Sequence, residues 1–190
     1  MTHAAPQTDE ELLERARQGD QRAFQLLVER YEGKVASTVV SMLGRSPEAD
    51  DVGQETFIRF YKALNNFKGE SSLGTYLTRI AINQSLKALK RRQSWARRFF
   101  SRDDDEIVIE ETVHDENQTI DEWEVRALVQ EALLKLSPEH RAVVVLRMLE
   151  DYSTKEAAAL LGIPEGTVTS RLSRALTNLD VLLRPVLRTP

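Results

Sequence analysis

Apolar residues between Tyr152 and Leu179 fall into two helical stripes separated by a turn. In the first, Ala157, Leu160 and Leu161 share a side; Ser153 and Glu156 have capping-box spacing, and Gly162 supplies the permissive backbone a helix end needs. Ile163-Pro164 interrupts continuation. A second helix from about Glu165 places Val168, Leu172, Ala175, Leu176 and Leu179 inward, while Thr167, Thr169, Ser170, Arg171, Ser173 and Arg174 face elsewhere. Ala158, Gly162 and Val168 stand where a helix-turn-helix needs a small contact, a turn glycine and a branched core residue. The outer face of the second helix is short, hydroxylated and basic, as entry into a DNA major groove requires. An ordinary helical hairpin is the simpler alternative.

The same 3.6-residue period runs through the rest of the chain. Thr8 and Glu11 cap a short helix carrying Leu12, Leu13 and Ala16 up to Gly19, and Asp20 caps a longer one with Ala23, Phe24, Leu27, Val28, Tyr31, Val35, Val39, Met42 and Leu43, which Gly33 is expected to bend or interrupt. Ser46-Pro47-Glu48 starts a third helix, to about Leu64, with Val52, Thr56, Phe57, Phe60 and Leu64 inward. Asp51, Gln54, Glu55, Ile58 and Lys62 line another side of it. After an irregular loop, Leu77, Ile80, Ala81, Gln84 and Ala88 define the inner side of a helix from about Thr75 to Arg92. Periodicity returns at Trp123 with Val125, Leu128, Val129, Ala132, Leu133 and Leu136; Ser137-Pro138-Glu139 then opens a helix through Val143, Val144, Leu146 and Leu149. No strand pattern of useful length occurs. The expected fold is all-α: two small helical domains, 8–94 and 123–187, joined by a flexible acidic linker, 95–122, with the helix-turn-helix in the second.

Charge sharpens this division. The net charge of −4 over 190 residues argues against nucleic acid only if spread evenly, and it is not. Residues 101–125 carry 11 acidic side chains against one basic, while the flanking blocks are mildly basic. From Arg79 to Arg102 there are eight basic residues and no acidic one, interleaved with Trp95, Phe99 and Phe100. Cations beside aromatics and an amide, here Asn83, suit a single strand with an exposed base, although a plain solvated basic helix has the same composition. The acidic group Asp50, Asp51 and Glu55 lacks the partners of a metal or acid-base site and suits either a solvated face or a docking surface for a basic protein. The three histidines lie far apart, and the chain has no cysteine. No catalytic residue, metal site or cofactor is therefore expected. Without a long apolar run or a basic-then-apolar amino terminus, the protein is expected in the cytoplasm with no membrane insertion.

In this order, Asp50–Phe57 (DDVGQETF), Phe67–Arg92 (FKGESSLGTYLTRIAINQSLKALKRR), Leu136–Arg147 (LSPEHRAVVVLR) and Pro164–Ala175 (PEGTVTSRLSRA) resemble the extracytoplasmic-function (ECF) sigma factors of bacterial RNA polymerase, from about Asp9 to Leu187. The resemblance implies that 8–94 is sigma region 2, which docks on the clamp of core polymerase and opens the minus-ten element. It implies that 123–187 is region 4, which binds the flap and reads minus-thirty-five DNA. The implied partners are core polymerase, promoter DNA as duplex and single strand, and an anti-sigma factor of a kind often anchored in a membrane; the implied regulon is a stress or envelope response. The implied polymerase contacts are Asp51, Gln54, Glu55 and Ile58. For the minus-ten element they are Phe67, Lys68, Gly69, Glu70, Ser71, Tyr76, Arg79, Asn83, Lys87 and Arg91, and for minus-thirty-five Pro164, Thr167, Thr169, Ser170, Arg171, Ser173 and Arg174. Gly53 stands where the family usually has a branched residue, Tyr76 where tryptophan is common, and Thr169 and Ser173 where larger residues are frequent. A stand-alone helix-turn-helix regulator is the alternative, but it normally needs a ligand pocket or dimer face.

Overall fold

The computed structural model describes residues 7–99 and 122–187, and among these it contains eight α-helices and no strand. The capping signals act as read. Helix α1 (Asp9–Arg17) carries the Thr8–Glu11 capping box. Helix α2 (Gln21–Leu43) begins at Asp20, whose carboxylate accepts the N–H groups of Arg22 and Ala23. The Arg15 guanidinium, hydrogen-bonded to Asp20, holds that carboxyl below its ordinary range. Helix α3 (Pro47–Ala63) starts on the Ser46 cap with proline at its first position and ends in a 3-10 turn, Leu64–Asn66.

Two expectations for this half change. Helix α2 runs unbroken through Gly33. A mid-helix glycine costs about 1 kcal/mol relative to alanine, too little to break a helix packed against α1, α3 and α4. Helix α4 (Leu73–Phe99) runs past both ends of its periodic stretch, so residues 95–99 are helical rather than linker. The rest of the expected linker, residues 100–121, lies outside the described residues. The inner face of α4 is Leu77, Ala81, Ile82, Ser85, Ala88 and Leu89; Ile80 and Gln84 are only half-buried.

The second half comprises α5 (Glu122–Lys135), α6 (Pro138–Val144), a π-helical turn Val145–Leu149, α7 (Thr154–Leu161) and α8 (Glu165–Leu187). The π turn inserts extra backbone and shifts the helical phase. Leu149, expected inside, is consequently 47% exposed, and Met148 is 53% exposed.

The sequence left the relation between the halves open, and the fold decides it. The two halves pack together, and Val145, Leu146, Tyr152, Ala157 and Val168 of the second half belong to one continuous core with Met42, Leu43, Phe60 and Leu77 of the first. Arg141, 5% exposed, cements the junction. Its guanidinium donates to the carbonyls of Leu133, Leu134 and Leu136 at the end of α5 and to the carbonyl of Met42 at the end of α2. Helix ends leave carbonyls without intrahelical partners, and a cation there also complements the helix dipole. Burial and the nearby Arg92 charge press the Arg141 pKa down to about 10, so the group stays charged at neutral pH.

Candidate polymerase and nucleic-acid interfaces

On α3 the buried face, Val52, Thr56 and Phe60, fixes where the polar strip points. The Thr56 hydroxyl donates to the Val52 carbonyl, so this polar residue is accommodated inside. Asp51, Gln54 and Ile58 are exposed, Ile58 by 45%. Glu55 pairs with Arg59 one turn on at 2.8 Å, and both side chains remain about 40% open. The strip thus offers carboxylates and an amide around one bare aliphatic side chain.

The loop and α4 form a second surface. Phe67 is 7% exposed, its ring packed against those of both Phe60 and Tyr76, which also meet each other. It anchors the loop from inside, while Lys68, Gly69, Glu70 and Ser71 stand open. Gly69 has φ +72°, a conformation favouring glycine at the loop's tip. The Ser72 hydroxyl accepts the Thr75 N–H and starts α4 just beyond.

Two depressions flank Tyr76. One, of about 430 Å³, is lined by Phe67 to Ser71 with Asn66, Tyr76 and Arg79. The other, of about 410 Å³, is lined by Arg59, Lys62, Ala63, Asn66, Tyr76, Ile80, Asn83 and Gln84. The loop and Asn83, taken together from sequence as one site, therefore face adjoining hollows with Tyr76 and Asn66 shared between them. Arg79 lies over the Tyr76 ring at 5.1 Å, which holds a cation at the rim of the loop hollow. Sequence reasoning gave no DNA role to Arg59, Lys62, Asn66 or Gln84. Lys62 was visible as a cation on an exposed strip, but its closeness to Asn83 depends on α3 lying against α4. Farther along α4, Lys87 is exposed, whereas Arg91 pairs with Glu48 at 3.2 Å. At 76% exposure of the arginine this pair is weak enough for a phosphate to displace.

In the third surface, the Ser153–Glu156 capping box starts α7 and Gly162 ends it in the left-handed conformation, φ +65°. Two N–H groups of the first turn of α8, those of Thr167 and Val168, reach the Pro164 carbonyl, fixing the entry of the chain into the second helix. Val168 and Ala175 are fully buried, while Leu176, expected inside, is 41% exposed. Pro164, Thr169, Ser170, Ser173 and Arg174 are exposed; Thr167 and Arg171 are half-buried. Thr169 and Ser170 donate their hydroxyl protons to the carbonyls of Glu165 and Thr167 on their own helix. Their oxygens then present lone pairs outward.

A helical core followed by a helix-turn-helix is the architecture of a DNA-binding transcription protein. The chain matches the family Sigma-70 region 2 over residues 27–99 and the family Sigma-70, region 4 over residues 126–179. It is 39% identical over 190 residues to the ECF RNA polymerase sigma-E factor of Escherichia coli (strain K12), covering 95% of this chain and 97% of the relative. It is 35% identical over 191 residues to the RNA polymerase sigma-H factor of Pseudomonas aeruginosa, with 95% and 96% covered. Among solved structures, CnrH in complex with the cytosolic domain of CnrY aligns with TM-score 0.64 and 30% identity over 93% of this chain and 97% of that one. The fold is also that of the sigma factor RpoE in complex with the anti-sigma factor NepR from Bartonella quintana, at TM-score 0.65 and 22% identity, with 85% and 96% covered. The chain belongs to the ECF sigma factors: it binds core RNA polymerase and directs promoter-specific initiation of transcription. No described helix is long and apolar enough to cross a membrane.

Proposed function

We propose that the three surfaces divide the work of initiation. Residues 8–94 act as region 2 and residues 123–187 as region 4. The α3 strip of Asp51, Gln54, Glu55 and Ile58 docks on the polymerase clamp. The hollows beside Tyr76 hold an unpaired minus-ten strand, with Lys68 to Ser71 forming the rim, Arg79, Lys87 and Arg91 taking phosphates, and Phe67 supporting the loop from beneath. The exposed face of α8 reads minus-thirty-five duplex. The observation that carries this reading is the pair of hollows sharing Tyr76, one walled by a cation-rimmed loop and one by the Asn83 amide. The protein works in the cytoplasm as an initiation factor without catalysis of its own, in a stress or envelope response. An anti-sigma factor is its natural regulator, since the solved relative at 30% identity was captured with the cytosolic domain of a partner. Run-off transcription with core polymerase on a promoter library tests the whole reading: a shared pair of elements among the active templates is expected, and no activity on any template above core alone refutes it.

Asn83 is the group suited to a flipped base, since an amide both donates and accepts along a base edge. Flipping costs a few kcal/mol that a pocket can offset. Asn83→Ala should leave promoter binding intact and slow opening of duplex minus-ten DNA, while a pre-melted bubble restores wild-type transcription. Permanganate footprinting on both templates checks this. Equal defects on both would point to lost docking instead.

On α8, Arg174 is exposed one turn beyond Ser170, whereas the half-buried Arg171 neighbours Leu172 and is placed for phosphate. Arg174→Ala should cost about 1–3 kcal/mol of discrimination at one position of the minus-thirty-five element. Holoenzyme binding to single-base variants reads it out; a uniform loss across all of them would make Arg174 a phosphate contact. The lone pairs of Thr169 and Ser170 suit the amino groups of adenine or cytosine.

A further inference from the structure

Both hollows beside Tyr76 are walled by residues from the end of α3, the 3-10 turn, the loop and α4, and Asn66 is common to the two. Asn66 is the last residue of the 3-10 turn, with Leu64 at its start and Phe67 immediately after it. No described residue of α1 belongs to either wall. One side chain of α1 nevertheless reaches this stretch of backbone. Arg17 Nε donates to the Leu64 carbonyl at 3.3 Å, and Arg17 Nη2 donates to the Phe67 carbonyl at 2.5 Å. The Leu64 carbonyl also accepts the Phe67 N–H at 3.4 Å. The two carbonyls that bracket Asn66 are thus tied to a single guanidinium.

A guanidinium is planar with fixed N–H directions, so two acceptors bound to it are held at a set separation. A cation also suits the end of α3, where carbonyls lack intrahelical partners and the helix dipole is negative. Capping α3 accounts for the bond to Leu64 but not for the bond to Phe67, which lies past the turn and in the loop itself. The Arg17 side chain has Glu14 at 3.7 Å one turn back and is only 32% exposed, so water competes only in part for its two acceptors. The Phe67 ring, packed on Phe60 and Tyr76, holds the loop by its side chain, and Arg17 holds it by its backbone. The far end is fixed by the Ser72 hydroxyl at the start of α4. Between these ends Lys68 to Ser71 stand exposed.

We infer that Arg17 is a positioning residue for capture of the minus-ten strand: it fixes the backbone on both sides of Asn66, and with it the placement of the loop hollow relative to the Asn83 hollow. Arg17 itself touches no DNA. Its effect is to spare the loop an ordering step when a strand enters both hollows, because a site held beforehand in its binding geometry loses less conformational freedom on binding. The proposal rests on the minus-ten assignment of these hollows, but its first readout needs neither DNA nor polymerase.

The chain has no cysteine, so a nitroxide attached at Glu70→Cys, an exposed loop position, reports loop motion in the free protein. Arg17→Met keeps the aliphatic stem and removes both donors; it should sharpen the nitroxide spectrum, as a more mobile loop does. The probe for function is a single-stranded oligonucleotide carrying the minus-ten element of a promoter active in the run-off assay. Unlabelled Arg17→Met holoenzyme should bind it about tenfold more weakly than wild type, and discriminate less between single-base variants of it. Affinity for core polymerase should not change. Arg17→Lys, which keeps the charge but not the planar fork, should fall between wild type and Arg17→Met in both readouts. A urea melt identifies a variant that has unfolded; if Arg17→Met does so, Arg17→Lys decides. A residue that only caps α3 would lower the melt and leave the nitroxide spectrum, oligonucleotide affinity and base discrimination of the folded protein as in wild type, and that result overturns the proposal. So does a loosened loop with unchanged oligonucleotide binding where Asn83→Ala weakens it. If Asn83→Ala also leaves oligonucleotide binding unchanged, the minus-ten assignment itself has failed and takes the proposal with it.

Discussion

Arg141→Met should lower the unfolding free energy by about 3–5 kcal/mol, the largest single loss of stability expected anywhere in the chain. Methionine fills much of the aliphatic volume, so the loss reports the guanidinium rather than a cavity. The carbonyls of Leu136 and Met42 and the part-buried one of Leu134 lose this donor, while that of Leu133 keeps the Leu136 N–H; each buried acceptor left unsatisfied costs about 1–3 kcal/mol, reduced where water can enter. Removing the desolvated cation returns part of this, because burial of the charge is itself unfavourable. Against a typical total of 5–15 kcal/mol, the variant stands near the edge of folding. Arg141→Lys, which keeps a cation but not the planar fork, should recover only part of the loss. Urea unfolding followed by circular dichroism measures both; a loss under 1 kcal/mol for Arg141→Met would show that the four hydrogen bonds contribute no net stability. Arginine stays protonated in both the folded and unfolded chain well above neutrality, so the effect should be flat from pH 5 to pH 8.

The largest functional effect should follow charge reversal of the α3 strip. Asp51→Arg combined with Glu55→Arg is expected to weaken binding to core polymerase at least a hundredfold, about 2.7 kcal/mol. Charges desolvated against a basic partner are worth several kcal/mol when reversed or left unpaired. The fold has little to lose: Asp51 is exposed, and the Glu55–Arg59 pair is an open helix-surface contact contributing a few tenths of a kcal/mol. The new like charges beside Arg59 add a similar small cost. Competition binding against a labelled sigma factor, with a urea melt of the same sample, separates the two effects. A stable, folded double variant that binds core polymerase as the wild type does would remove the strip from the interface. Ile58→Ala alone should weaken binding less, since its loss leaves no charge unpaired.

How far the chain was readable without its structure varies by level. The capping boxes at Thr8–Glu11 and Ser153–Glu156, the Asp20, Ser46 and Ser137 caps and the left-handed Gly162 depend on bonds spanning two or three residues, so the local sequence determined them. So did the side of α3 that carries Asp51 and Gln54, because 3.6-residue periodicity leaves no freedom once Val52, Thr56 and Phe60 are inside. The charge segregation was legible for the same reason.

Tertiary structure alone decided which buried face meets which. Periodicity marks Val145, Leu146 and Tyr152 as inward but cannot say whether the inside is their own domain's core or Met42 and Leu43 of the other. Glu150 and Arg141 read as ordinary charges, because only docking brings Lys34 and Thr38, or the ends of α2 and α5, within hydrogen-bonding distance. Leu149 and Leu176 were misplaced through different causes: a π turn rotates the first out of phase, and the neighbours of α8 do not cover the second. Arg59, Lys62 and Asn66 join Asn83 around one hollow because α3 crosses α4 there. Helical period and capping are set by nearby backbone geometry, whereas the pairing of apolar faces is a contest among long-range contacts that no short stretch of sequence contains.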